Sequence, residues 1–162
     1  MNRKDYNNCV DKYADNVFCF ILKNIKDEER ARDIVQDAFE RLWNNIDNIN
    51  ASKARSYLFS TAYHVMIDVL RKEQRLEKVE GFHEKDKGKT YNAYSDLNDI
   101  LHEALNKIPE KQRSVILLRD YEGYNYKEIG EITNLNESQV KVYIYRARKA
   151  LRNYIKKMDI VI

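Results

Sequence analysis

Three observations predict an all-α fold of two small helical domains joined by a flexible linker. The 162 residues include only one Pro and four Gly, which leaves little material for tight β-turns. Apolar residues recur at three- and four-residue spacing in nearly every segment. The exception is residues 78–96, which hold two of the glycines, many charges and no sustained apolar period. The expected division is therefore an N-terminal domain at 1–77, a linker at 78–96 and a C-terminal domain at 97–162. With 43% hydrophobic residues the chain suffices for compact cores of modest size.

The first element follows a polar start at Met1 to Tyr6 and buries the stripe Val10, Tyr13, Val17, Phe18, Ile21 and Ile25. Asp27 is placed to cap the second helix, whose stripe is Ala31, Ile34, Val35, Ala38, Phe39, Leu42, Trp43 and Ile46. A polar stretch at 44–50 separates it from a third, with Ser52 as the expected cap and Ala54, Tyr57, Leu58, Thr61, Ala62, Val65, Met66, Val69 and Leu70 as the inner face. Three such helices close one small bundle. Past the linker, Leu97, Ile100, Leu101, Ala104, Leu105 and Ile108 make a fourth helix. Pro109 suits the first position of a fifth, and Gly123 suits a helix end that needs positive φ.

The segment "NYKEIGEITNLNESQVKVYIYRARKAL" has the organisation of a helix-turn-helix. Asn125 and Glu128 have capping-box spacing. Gly130 is small where the two helices cross, Asn134 tolerates the left-handed turn, and Asn136 caps the second helix. In that helix Val140, Ile144, Ala147 and Leu151 share one face, which leaves Ser138, Lys141, Val142, Tyr145 and Lys149 opposite, flanked by Arg146, Arg148 and Arg152. Residues 136–157 carry seven Lys or Arg, and their one acid, Glu137, stands at the start. A basic face on the second helix of this motif suits DNA phosphates, with its first turns reaching base edges. Tyr143 and Tyr145 are compatible with either packing or DNA contact.

Several classes are disfavoured. No apolar run reaches the roughly 20 residues of a membrane span and the N-terminus lacks a signal-peptide core, so a cytoplasmic protein is expected. Cys9 and Cys19 lack metal spacing and are read as reduced core thiols. His64, His83 and His102 form no ligand pattern. Without a nucleophile constellation, metal cluster or phosphate-cradling loop, neither an enzyme nor a cofactor is expected.

Two motif groups in this order resemble one family. "IPEKQRSVILLRDYEGYNYKEIGEITNLNESQVKVYIYRARKALR" is similar to the C-terminal domain, and "DIVQDAFERLW" with "ARSYLFSTAYHVMIDVLRKEQR" to the N-terminal domain, of the extracytoplasmic-function sigma factors of bacterial RNA polymerase. The resemblance implies a dissociable subunit that recognises promoters and melts DNA locally to start transcription. It also implies three partners: core RNA polymerase, through its largest-subunit clamp helices and the flap of the second-largest subunit; promoter DNA; and an anti-sigma factor, often membrane-bound. By that resemblance Asp33, Gln36 and Asp37 meet the clamp helices; these three and Glu40, which is assigned with them, also lie on the polar face opposite Ile34, Ala38 and Leu42.

The resemblance assigns the −10 element to Asn48, Lys53, Arg55, Tyr57, Tyr63, His64, Arg71 and Lys72; Lys53, Arg55, Tyr57, Tyr63, Arg71 and Lys72, with Arg75, supply the π-faces and cations that single-strand capture needs. Tyr57 is read either so or as core, and Asp68 as a structural residue that orients neighbouring basic side chains. Asn136, Glu137, Ser138, Gln139, Lys141, Val142, Tyr145, Arg146 and Lys149 are assigned to the −35 element. The chain has Tyr63-His64 where the family has Arg-Asn, and Glu137, Ser138 and Gln139 where it has small residues, so a promoter sequence does not carry over. Glu137 suits a cytosine amino group and Gln139 an adenine. The rival reading is a helix-turn-helix regulator without a sigma role, which leaves "DIVQDAFERLW" without a job.

Overall fold

The structure, a computed structural model, describes residues 1–80 and 96–161. The chain divides into two compact units, residues 1–89 and 90–162. Most of the expected linker, residues 81–95, lies outside the described residues.

In the first unit, α1 (Arg3–Ile25), α2 (Glu28–Asn44) and α3 (Ala54–Glu80) pack mutually, and two 3-10 turns, Ile46–Asn48 and Ala51–Lys53, connect α2 to α3. Asn2 and Asp5 close a reciprocal capping box on α1, and Asp27 accepts the Arg30 amide at the start of α2. Lys26 ends α1 in the left-handed conformation, φ 57°, and turns the chain into α2. The core is Val17, Phe20 and Ile21 of α1, Ile34, Ala38 and Leu42 of α2, and Leu58, Phe59, Ala62 and Met66 of α3, all buried. Each large aliphatic or aromatic side chain in it contributes about 1.5–3 kcal/mol by leaving water. Phe20 and Phe59 meet edge to face at 5.6 Å between centroids. Arg30 at the start of α2 pairs with Glu73 of α3 and ties the far ends of these helices together.

In the second unit α4 (Asp96–Lys107) and α5 (Glu110–Ile116) pack on α7 (Glu137–Val161). The helix of α5 widens into a π turn over Leu117–Tyr121, after which Gly123, at φ +74°, reverses the chain. The remaining helix, α6 (Tyr126–Thr133), also packs on α7. Among the described residues there are no strands, and no helix is long and apolar enough to cross a membrane.

Four details differ from expectation. Ser52 caps nothing, because α3 grows directly from the 3-10 turn in which the Lys53 amide donates to the Asn50 carbonyl at 2.8 Å. Pro109 precedes its helix: its ψ of 150° is extended, so it stands at the cap position and its carbonyl accepts the Arg113 amide. Cys19 is exposed, since it falls beside the α1 stripe, while Cys9 is buried and its thiol pKa is raised by that burial. Helix α3 runs through residues 78–80, because no helix breaker occurs before the glycine at 81.

Gly130 is the tightest point of the second unit. A Cβ there would lie 2.6 Å from the Leu135 carbonyl oxygen, a backbone atom that cannot swing away. Gly130→Ala is therefore expected to cost about 1–3 kcal/mol in spite of alanine's better helix propensity. Urea unfolding of the full chain followed by circular dichroism measures it, and unchanged or increased stability contradicts the close approach.

Candidate nucleic-acid interface

The helix-turn-helix is set by three local devices. Asn125 and Glu128 close a reciprocal box: the Glu128 amide donates to Asn125 Oδ1 at 2.8 Å and the Asn125 amide to Glu128 Oε1 at 3.2 Å. Asn134 takes the left-handed turn at φ 64°, and the next amide, of Leu135, returns to the Gly130 carbonyl at 3.0 Å. A second box then starts α7, in which the Gln139 amide donates to Asn136 Oδ1 at 2.8 Å and the Asn136 amide to Gln139 Oε1 at 3.0 Å. The sequence showed the Asn136 cap but not that Gln139 completes it.

Burial of Val140, Ile144 and Ala147 fixes the rotation of α7 about its axis. Every residue assigned to the −35 element is consequently exposed: Asn136, Glu137, Ser138, Gln139, Lys141, Val142, Tyr145, Arg146 and Lys149. Tyr145 stands 67% exposed, which separates it from Tyr143, half-buried beside it. Arg148 is turned away and pairs with Asp120 of the π turn at 2.9 Å.

Three residues absent from the sequence reading join this surface. The Tyr126 ring lies between the Arg119 guanidinium, 5.1 Å from its centroid, and the Lys141 ammonium at 5.8 Å. Arg119, Asn125, Tyr126, Lys127 and Glu137 line a shallow depression of about 320 Å³ between the starts of α6 and α7. Their signal in the sequence was weak, since Arg119 comes from a different helix and reaches the motif only through the turn at Gly123. Its guanidinium also donates to the Tyr124 carbonyl at 3.0 Å, which holds it against that turn.

In the first unit the residues assigned to the −10 element separate into two groups. Asn48, Lys53, Arg71 and Lys72 are exposed, and His64 is half-buried at the head of a line continued by Asp68, Arg71 and Arg75 at helical spacing. Arg55 is half-buried with its guanidinium 5.5 Å from the Phe59 ring centroid. Tyr57 is half-buried and pinned: its hydroxyl accepts from Asn45 Nδ2 at 3.1 Å and donates to the Arg41 carbonyl at 3.4 Å. Tyr63 is placed differently from the others. The residue is 3% exposed and its ring packs near Phe20, with the His64 ring beside it, so in this structure it offers no open face to a base.

The face assigned to the polymerase lies along α2. Asp33, Gln36 and Glu40 are exposed, and Gln36 Nε2 reaches Glu40 Oε1 at 3.5 Å. Asp37 is half-buried and accepts from Arg41 Nε at 3.0 Å, so one of its oxygens is already engaged. Trp43, expected in the core, is 45% exposed and rests edge-on against Tyr6 at 5.0 Å. It belongs to the last turn of α2, past the end of the buried stripe at Leu42.

A basic reading helix in a helix-turn-helix defines a DNA-binding protein. Residues 9–76 match sigma-70 region 2 and residues 98–151 match sigma-70 region 4, in that order. The chain is similar to the RNA polymerase sigma factor SigV of Bacillus subtilis, 29% identical over 94% of this chain and 92% of that one. It is also similar to the ECF RNA polymerase sigma factor SigW of the same organism, 29% identical over 91% and 87%. The fold matches that of the sigma factor RpoE of Bartonella quintana, solved in complex with the anti-sigma factor NepR, with a TM-score of 0.80 over 94% of this chain and 98% of that one at 24% identity. The chain belongs to the sigma-70 family and is an RNA polymerase sigma factor of the extracytoplasmic-function type.

The burial of Tyr63 generates a stability test. Tyr63→Ala is expected to destabilise the first unit by about 3–5 kcal/mol, as for an aromatic lost from a core. Lys53→Ala and Arg71→Ala should each stay within about 0.5 kcal/mol of the native chain. Trp43, the only tryptophan, reports unfolding of this unit by fluorescence in urea, and a Tyr63→Ala midpoint equal to that of Lys53→Ala contradicts the core placement.

Proposed function

We propose a division of labour within this sigma factor: residues 1–77 hold core RNA polymerase and the −10 element, and residues 97–162 hold the −35 element. The observation that carries the reading is the pairing of a polar, largely acidic face on α2 with a basic reading face on α7, each opposite a buried apolar stripe. Asp33, Gln36, Asp37 and Glu40 present carboxylates and an amide to the clamp helices of the largest polymerase subunit. Such complementarity sets orientation and association rate as well as affinity.

In the first unit Asn48, Lys53, His64, Arg71 and Lys72 line the path of the displaced strand, with Arg55 behind them. Cations along that path follow the phosphates while an unstacked base is held. With Tyr63 buried, Tyr57 and His64 are the half-buried assigned rings that remain to offer a π-face. Local melting then uses binding energy for the single strand and no chemical step, so the protein acts as a non-catalytic subunit. In the second unit Arg146 and Lys149 neutralise phosphates, and Arg119 and Lys127 extend that contact beside the start of α6. The flap of the second-largest subunit is the expected partner of this unit in the holoenzyme. The Bartonella quintana relative is complexed with an anti-sigma factor, and an inhibitor of that kind, one that covers these faces, is the expected regulator here.

Replacing Gln36 and Asp37 together by Ala is expected to weaken association of the full chain with core RNA polymerase about tenfold or more, the scale of a lost interface hot spot. The circular dichroism spectrum should be unchanged, because both side chains lie on the polar face of α2. Full affinity in a folded double variant contradicts the assignment.

A further inference from the structure

Around Val142 the reading face is unlike the rest of α7. Val142 is apolar and 44% exposed. Ser138 stands one turn before it and Arg146 one turn after, and a depression of about 300 Å³ opens among Ser138, Gln139, Val142, Tyr143 and Arg146. Helix stability does not account for a valine there, because β-branched residues are poorer helix formers than the lysines and arginines around it. The core does not account for it either, since Val140 and Ile144 fill the opposite face.

The groups free to meet a base can be sorted one by one. Gln139 Oε1 accepts the Asn136 amide at 3.0 Å, and a two-point contact with adenine needs that oxygen to accept from the base instead. Opening the box gives up a helix cap, so Gln139 is held as part of the helix start. Ser138 Oγ, the Val142 methyls and the Arg146 guanidinium remain, and among the described residues neither Ser138 Oγ nor the Arg146 guanidinium has a hydrogen-bond partner. Of the four bases only thymine shows an apolar group in the major groove, its C5-methyl. Cytosine, adenine and guanine each present donors or acceptors there, which Val142 would cover without satisfying.

We propose that Val142 is a specificity-determining residue that packs on the C5-methyl group of one thymine in the −35 element, while Gln139 is a positioning residue that holds the start of α7. This rests on the reading of α7 as the −35-binding helix. Glu137 and Lys141 border the same end of the helix and set the surrounding charge, and Val142 supplies selection by shape.

The test uses the full chain with core RNA polymerase and a duplex promoter library randomised across the −35 region. Each thymine of the selected element is then replaced by deoxyuridine, which removes the methyl group and nothing else. One replacement is expected to weaken binding about fourfold, the worth of one buried methyl group. Val142→Ala, whose fold is checked by circular dichroism, should lose most of that difference. Gln139→Ala should weaken the selected and a scrambled element by the same factor. A selected element without thymine, no methyl-sensitive position, or equal methyl sensitivity in the native and Val142→Ala proteins overturns the proposal. A library that yields no preferred sequence overturns the −35 reading itself, and the thymine contact with it.

Discussion

Val140, Ile144 and Ala147 are buried against the rest of their unit, and this burial sets the rotation of α7. Once the stripe is inside, the residues at 138, 142, 145 and 149 have only one direction in which to point. The approach of α6 is fixed in turn by Gly130, where the Leu135 carbonyl occupies the space of a side chain, and by Asn134, which accepts the left-handed turn. The same constraint acts in the first unit. Ile34, Ala38 and Leu42 lie inside, so Asp33, Gln36 and Glu40 lie outside. Function in this chain is carried by what the cores leave exposed.

The two units differ in how that exposed chemistry is held. On α7 the long basic side chains Arg146 and Lys149 are exposed and, among the described residues, have no hydrogen bond or ion pair, a state suited to phosphates that arrive with released counterions. On α2 the acidic face is partly knit together, with Asp37 on Arg41 and Gln36 on Glu40. A partner there must compete with Arg41 for one oxygen of Asp37, which favours a basic surface with more than one cation. Arg148 illustrates the opposite case, a cation within the basic run that is engaged by Asp120 and braces α7 against the π turn.

Much of this was legible in the sequence because it rests on spacing. The Asn125–Glu128 box, the left-handed Asn134, the positive φ of Gly123 and the Asn136 cap are all local patterns, and each stands as expected. So do the inner positions Val17 and Ile21 of α1, Ile34, Ala38 and Leu42 of α2 and Leu58, Ala62 and Met66 of α3, whereas Val10, at the outer end of its stripe, is 36% exposed. What was not legible depends on where a stripe ends and which neighbour lies beyond it. Trp43 and Cys19 read as core because they are apolar, yet both fall at the margin of a buried face. Tyr63 read as a DNA contact because it adds a π-face to the segment that matches the −10 motif, whereas its place on α3 turns it toward Phe20. Arg119 and Tyr126 come together only because the π turn and Gly123 fold α5 back on the motif, which no short-range pattern encodes. Ser52 lost its capping role to a 3-10 turn that the polar stretch before it did not reveal.

A sigma factor built in this way directs core RNA polymerase to promoters by joining the two surfaces. The most direct measurement is transcription in vitro by bacterial core RNA polymerase, with and without the full chain, on templates randomised upstream of a fixed transcribed barcode. Transcripts are expected to need the added chain, to start at a constant distance from two enriched sequence blocks, and to disappear when either block is scrambled. Transcript levels and start sites equal to those of core enzyme alone would contradict that expectation.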